Sequence, residues 1–329
     1  MDRAEVRSFC LLAALLVFAF SIPFAVGGWT GNVFFFDAQW MADLATVVLN
    51  GLLHGGVYAM FAVGLTLVFG VMRIINIAHG HLVMLGAYLT YVCFDHFKWD
   101  PLLALLATLP VSYALGWLIQ KALLNAVVGG PELTPLLITF GLGLAMIQIV
   151  ISVFTTDYRT IPYAPNAIVL APGINLSANK LISFAMSVVI SLSVFFFLKL
   201  HRLGKAIRAT AQNAGVAMVC GINVLQVYLV TSGVAAALAA AGGALVAIQF
   251  GFNPETGYLY TLQAFAIIIL GGRGHYIGAL IGGLMLAVME SLISFLVPNG
   301  TAMVELASYG LMVGVLLIRP RGLMGHRED

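Results

Sequence analysis

Few side chains in this sequence can do chemistry, and most of those lie inside apolar runs. Asn50, His54 and Tyr58 interrupt one such run, and Glu290 stands alone in another, within Val288-Met289-Glu290-Ser291. Between them comes Ile75-Asn76-Ile77-Ala78-His79-Gly80-His81, which brings an Asn, two His and a Gly to the start of an apolar stretch. Polar groups in hydrocarbon are costly unless they face protein or water. Each one therefore marks a helix interface or a solute path. For His54, His81 and Glu290 both readings stand: an interhelical hydrogen bond, worth about 0.6 kcal/mol on average, or a place on the path. The 76–80 stretch taken as a unit reads as a gate.

A second break is written as Leu270-Gly271-Gly272-Arg273-Gly274-His275, where three glycines in four positions interrupt any helix. Interrupted segments in opposite halves of a chain point to a transport pathway. The candidate path or gate residues are thus Asn50, His54, Asn76, His79, Gly80, Gly271, Gly272, Gly274 and Glu290. His79 and His81 have no Cys or carboxylate nearby in sequence, so no metal site is expected. The spans carry no nucleophile–base set, so no catalytic residue is expected either.

The elements that position these residues follow from composition. Of 329 residues, 61% are hydrophobic and 9% charged, against roughly 25% charged in a soluble domain. The shortage of charge excludes a soluble surface. A membrane-crossing helix needs about 20 mostly apolar residues, and stretches of this kind run at 9–26, 44–69, 82–93, 102–119, 136–154, 181–198, 225–248, 259–270, 277–297 and 303–318. The expected fold is all-α, a polytopic transmembrane bundle of about ten spans, some short or broken. Twelve of the 15 Lys and Arg then fall on one side, which sets both termini in the cytoplasm. Lys98, Arg159 and Lys180 are left outside. Residues 1–26 are signal-like, but Asp2 and Glu5 dilute the basic start and the apolar run is long, so a retained helix is the favoured reading. Cys10, Cys93 and Cys220 show no paired or metal-ligand spacing and read as small packing residues.

The stretch 201–223 is different in kind. It is basic at its start, Ala-rich in its middle, and ends at Gly221, a C-cap residue by type. It is too long for a tight turn and too polar to span. A short cytoplasmic helix of this sort suits docking to a soluble partner, or lying on anionic lipid.

Six stretches, in order, resemble the branched-chain amino-acid ABC transporter permease family (LivH type). They are Asn50-Gly51 to Tyr58 with Gly64-Leu65-Thr66-Leu67; Asn76-Ile77-Ala78-His79-Gly80; Ile138-Thr139-Phe140-Gly141; Arg208-Ala209-Thr210-Ala211-Gln212 through Gly221-Ile222-Asn223; Gly271-Gly272-Arg273-Gly274 with Gly278 to Gly283; and Arg319-Pro320-Arg321-Gly322. The resemblance implies a permease transmembrane domain over 41–325, preceded by an N-terminal span and outer loop over 1–40. It implies a multi-pass subunit of the bacterial inner membrane that forms the translocation path for branched-chain or other amino acids. The implied partners are a second homologous permease, two cytoplasmic ABC ATPase subunits, a periplasmic solute-binding protein and membrane lipid. The coupling residues would be Gly204, Lys205, Arg208, Ala209, Gln212, Asn213 and Gly221. This chain would bind no cofactor, since it has no phosphate-binding Gly–X4–Gly–Lys–Ser/Thr pattern; ATP would be hydrolysed on the partners. The acidic residues often found after the coupling Gln are replaced by Asn213, Ala214 and Gly215, and relatives of the family carry urea, amides and organic acids, so the solute stays open. The rival class is an ion-coupled secondary transporter, for which Glu290 is the strongest coupling candidate.

Overall fold

A computed structural model describes residues 38–131, 133–164, 166–272, 274–297, 300–318 and 322–324. The expected span 9–26 lies outside them, as do Arg273 and residues 319–321. The regular structure of the described residues is helical, apart from one short hairpin. In order come α1 (Ala38–Met72), α2 (His79–Phe97), α3 (Pro101–Ala122), α4 (Leu133–Phe154), β1 (Ala167–Ala171) and β2 (Ile174–Ser177). Then follow α5 (Ala178–Leu200), α6 (Arg202–Gln212), α7 (Ala214–Val219), α8 (Val224–Gln249), α9 (Thr256–Gly271), α10 (Tyr276–Leu296) and α11 (Gly300–Ile318). Among the described residues six helices, α1, α3, α4, α5, α8 and α10, are long and apolar enough to cross a membrane. The chain is an all-α polytopic membrane protein. The stretch between α4 and α5 contains the antiparallel β1–β2 pair, turned at Gly173 with φ 84°.

Helix faces sort by what they touch. α4 buries Thr139, Gly143, Met146 and Val150 and turns Leu133, Leu137, Ile149 and Val153 outward. Apolar groups on both faces are what a helix between protein and lipid requires. α8 is buried along most of its length from Ala235 to Ile248. Its small residues allow backbone contact: a Cβ at Gly243 would overlap the Val83 carbonyl of α2, and one at Gly86 would overlap Ala240.

Two breaks in the bundle have the same construction. α1 stops at Met72, where Arg73 turns left-handed with φ 54°. The chain then doubles back, because His79 Nε2 donates to the Phe61 carbonyl at 2.8 Å. That bond places the start of α2 roughly 16 Å back along α1, at 1.5 Å rise per residue. α8 ends at Gln249, and residues 250–255 likewise turn inward before α9 begins. The two helix starts meet there: a Cβ at Gly80 would overlap Thr261 and the Gly257 carbonyl, and the His81 and Tyr258 rings lie 4.9 Å apart. From this point α2 and α9 run to opposite ends of the bundle.

The sequence carries the same relation. At one constant offset, without gaps, Gly56, Val57, Ala59, Ala62, Asn76, Gly80, Leu82, Leu85 and Ala87 recur as Gly233, Val234, Ala236, Ala239, Asn253, Gly257, Leu259, Leu262 and Ala264. The same offset carries the end of α1 onto the end of α8, and the start of α2 onto the start of α9. The corresponding positions Ala59 and Ala236 each receive a glycine from the other arm, Gly283 of α10 and Gly116 of α3. α1–α2–α3 and α8–α9–α10 are thus two inverted copies that exchange their third helices. The 76–81 break therefore pairs with 253–257, and not with the Gly271–Gly274 turn.

Candidate functional site

Non-helical backbone inside a bundle must have its N–H and C=O groups satisfied by side chains or water. In the first break Asn76 Oδ1 accepts from the Ala78 amide at 3.0 Å. The Ile77 amide donates to Thr139 Oγ1 at 3.2 Å, and Thr261 Oγ1 lies 3.2 Å from the Ile77 carbonyl and 2.8 Å from the Gly257 carbonyl of its own helix. The Gly80 amide donates to the same Thr261 oxygen at 3.1 Å. In the second break Asn253 Oδ1 accepts from the Thr256 amide at 3.1 Å, so the corresponding Asn does the corresponding work. Phe252 is also paired through its backbone with Arg159 of the loop before the hairpin, at 2.9 Å in both directions.

Between α1, α9 and α10 lies a cavity of about 610 Å³. Thr46, Asn50 and Lys180 line it toward the hairpin, and Tyr58, Gln263 and Glu290 line its deep end. Asn50 is held by the hairpin: its Nδ2 donates to the Asn175 carbonyl at 3.0 Å, and its Oδ1 accepts from the Ser177 amide at 3.2 Å. His54 Nδ1 donates to Gln249 Oε1 at 2.9 Å, and its ring packs on Tyr58 and Phe250 at 4.3 and 5.0 Å.

Glu290 is the centre of the deep end. Its Oε2 accepts from the Tyr58 hydroxyl at 3.0 Å. Its Oε1 accepts from Ser308 Oγ at 2.8 Å and from Gln263 Nε2 at 3.3 Å. Four helices, α1, α9, α10 and α11, therefore meet on one carboxylate. A carboxylate has about four acceptor positions, so three donors leave one. Gln263 Oε1 is buried without a hydrogen-bond partner among the described residues, and so is Gln249 Nε2. Below this floor the bundle closes on apolar packing that includes Phe61, Leu65, Ile267 and Leu286.

The candidate residues thus fall into three places. Asn50, His54 and Glu290 share the cavity. Asn76, His79 and Gly80 form the buried break where α2 meets α9. Gly271, Gly272 and Gly274 make the turn from α9 to α10, with Gly272 and Gly274 at φ 99° and 77°. There Gly271 packs directly on the Gly278 backbone, and Gly274 lies beside Gly70 at the end of α1. Tyr58, Gln263, Ser308, Gln249 and Lys180 were not among the expected site residues. Tyr58 and Gln263 carried a signal, since each is a polar group inside an apolar run; Ser308 carried none.

The basic segment folds as two helices, not one. Asn213 is extended (φ −157°, ψ 107°), and its side chain caps α7 by accepting from the Val216 amide at 3.0 Å. Gly204 fixes α6 against α5, because a Cβ there would overlap the Phe197 carbonyl. Lys205, Arg208 and Gln212 face outward, Ala209 is half-buried, and Gly221, with φ 83°, turns the chain into α8. α7 exposes apolar side chains beyond the ends of the spans: Val216 is 59%, Met218 62% and Val219 89% exposed.

The profile of the family described as branched-chain amino acid transport system / permease component matches residues 47–316. This chain belongs to that family. The permease is 30% identical over 295 residues to the high-affinity branched-chain amino acid transport system permease protein BraD of Pseudomonas aeruginosa, covering 85% of this chain and 95% of that one. It is 29% identical over 304 residues to LivH of Salmonella typhimurium, again covering 85% and 95%. No solved structure matches at comparable significance. The match bears out the resemblance carried by the six ordered motifs. The permease is a transport subunit of the inner membrane and not an enzyme.

Proposed function

We propose that the permease is the channel-forming subunit of an ATP-driven importer for branched-chain or other amino acids. BraD and LivH, named for high-affinity branched-chain amino acid transport, support the solute class. The observation that carries the mechanism is α7, whose exposed Val216, Met218 and Val219 form an apolar tip beside the outward-facing Lys205 and Arg208. A solvent-exposed apolar patch rimmed by charge suits a protein partner. In this reading α6–α7 docks on two cytoplasmic ABC ATPase subunits, which hold the ATP. The hairpin end meets a periplasmic solute-binding protein, and a second homologous permease completes the path. About ten spans with both termini cytoplasmic place α6–α7 inside and Lys98, Arg159 and Lys180 outside. The cavity at Asn50, His54 and Glu290 faces the periplasm, and the break at Asn76, His79 and Gly80 gates what lies beneath it.

The test is purification of the tagged chain in mild detergent, with co-purifying subunits identified by mass spectrometry and ATP hydrolysis assayed in the eluate. Co-purification of a second permease and active ATPases is expected. A chain that purifies alone, stable and without ATPase activity, sinks this reading. One observation favours the rival of ion-coupled transport, namely the carboxylate of Glu290 in the cavity. Uptake that survives ATP depletion and collapses with the ion gradient selects that rival. An importer for urea, amides or organic acids shares the architecture and differs in the cavity's ligand.

A further inference from the structure

The cavity is polar in a directional way. At its deep end the unfilled groups are acceptors. Glu290 retains an acceptor position beyond its three donors. Gln263 Oε1, beside it, is buried without a partner among the described residues. An unpaired buried acceptor calls for a donor, and an ammonium carries three donors and no acceptor. Toward the hairpin the unfilled groups are donors. Lys180 lines the cavity there, with its Nζ 5.6 Å from the Phe250 ring. Gln249, bonded to His54 behind the cavity lining, keeps a buried Nε2 with no partner among the described residues. The His54 and Tyr58 rings, 4.3 Å apart, separate the two poles. The apolar part of the wall is made by Val47, Leu259, Ala287, Phe295 and Val304, with Thr46, Asn50, Ser291 and Ser294 among them.

We propose that this cavity is a binding site for a zwitterionic α-amino acid with an aliphatic side chain. The ammonium sits on Glu290 and Gln263, the carboxylate faces Lys180, and the side chain lies on the apolar residues of the wall. The inference rests on the amino-acid importer reading for its solute class, and adds the orientation and the residues that select it. It also separates the solutes left open by the motifs. An organic acid lacking an amine meets the Glu290 carboxylate with no donor. Urea and simple amides have no charge for either pole and no group for the apolar wall. A volume of about 610 Å³ leaves room for the amino acid together with water.

The experiment uses the purified permease, with the subunits that accompany it, in lipid nanodiscs. Saturation-transfer-difference NMR, which suits weak ligands, compares leucine with 4-methylpentanoate, the same skeleton without the amine. The wild type is expected to favour leucine by about 10- to 100-fold, the range for hydrogen bonds to charged groups. Glu290→Gln is expected to abolish that preference while the subunits still co-purify. Gln263→Leu, which leaves the carboxylate in place, is expected to reduce it several-fold. Equal binding of the two ligands by the wild type overturns the proposal, and so does a preference that survives Glu290→Gln. Leucine uptake by the reconstituted wild type judges the importer reading separately. Uptake without ligand preference removes this inference alone, and preference without uptake removes the importer reading alone.

Discussion

The Thr261 hydroxyl lies 3.1 Å from the Gly80 amide, so a side chain of α9 satisfies the first turn of α2. The same oxygen reaches the Ile77 carbonyl at 3.2 Å. Thr261→Val keeps the shape and removes both contacts. Each buried backbone group left unpaired costs about 1–3 kcal/mol. The expected outcome is a melting temperature several degrees lower in detergent, together with reduced uptake. Thr139→Val, which strands the Ile77 amide, should act in the same direction with a smaller loss.

Gly80 and Gly310 provide a matched pair of substitutions. A Cβ at Gly80 would overlap backbone atoms of Thr261 and Gly257, whereas a Cβ at Gly310 meets nothing within 4 Å. Gly80→Ala should lower folded yield and thermal stability sharply. Gly310→Ala should leave stability unchanged or slightly raised, since Ala is the better helix former by about 1 kcal/mol. Equal behaviour of the two variants would count against the close contact at the break.

Asn76 and Asn253 occupy corresponding positions and each accepts a backbone amide at a helix start. Replacing either by Ala should cost about 0.5–1.5 kcal/mol, the net contribution of one hydrogen bond. The two losses should be similar in thermal unfolding. A large loss at one and none at the other would show that the two arms do not share their construction.

Val219 is 89% exposed, so Val219→Asp should change stability by less than about 0.5 kcal/mol. It should still abolish stimulation of ATP hydrolysis by the loaded binding protein in the reconstituted assembly. Gln212→Pro, at the end of α6, should stop uptake through the same element. Normal uptake with either substitution removes the coupling role of α6–α7.

Most of the helices were legible because a membrane leaves a plain signature: long apolar runs bounded by charge or by Gly and Pro. The starts of α2 and α9 were harder to read. The apolar stretch after Gly80 looks like a short span, and only the His79–Phe61 bond shows that it begins part-way along α1. The partner of the 76–81 break was misplaced for a related reason. Gly271, Gly272 and Gly274 advertise a break by composition, whereas Asn253-Pro254-Glu255-Thr256-Gly257 looks like an ordinary turn. Its identity emerges from the constant offset, which the Ala- and Gly-rich α8 conceals by having few distinctive residues. Glu290 could be singled out from sequence because a lone carboxylate in an apolar run is conspicuous. Its partners Gln263 and Ser308 come from α9 and α11, and no local pattern announces a contact made across three helices.

The inverted arms have a consequence for motion. Two copies of one architecture, set in opposite directions, need not hold the same pose at the same moment. If α1–α2–α3 takes up the pose of α8–α9–α10 and the reverse, the bundle is carried onto its own upside-down image. A cavity that opens at one end of the two arms would then open at the other. A chain built this way would hold both extremes of a rocking cycle among its own contacts, with the Gly80–Gly257 junction, which the constant offset maps onto itself, as the pivot.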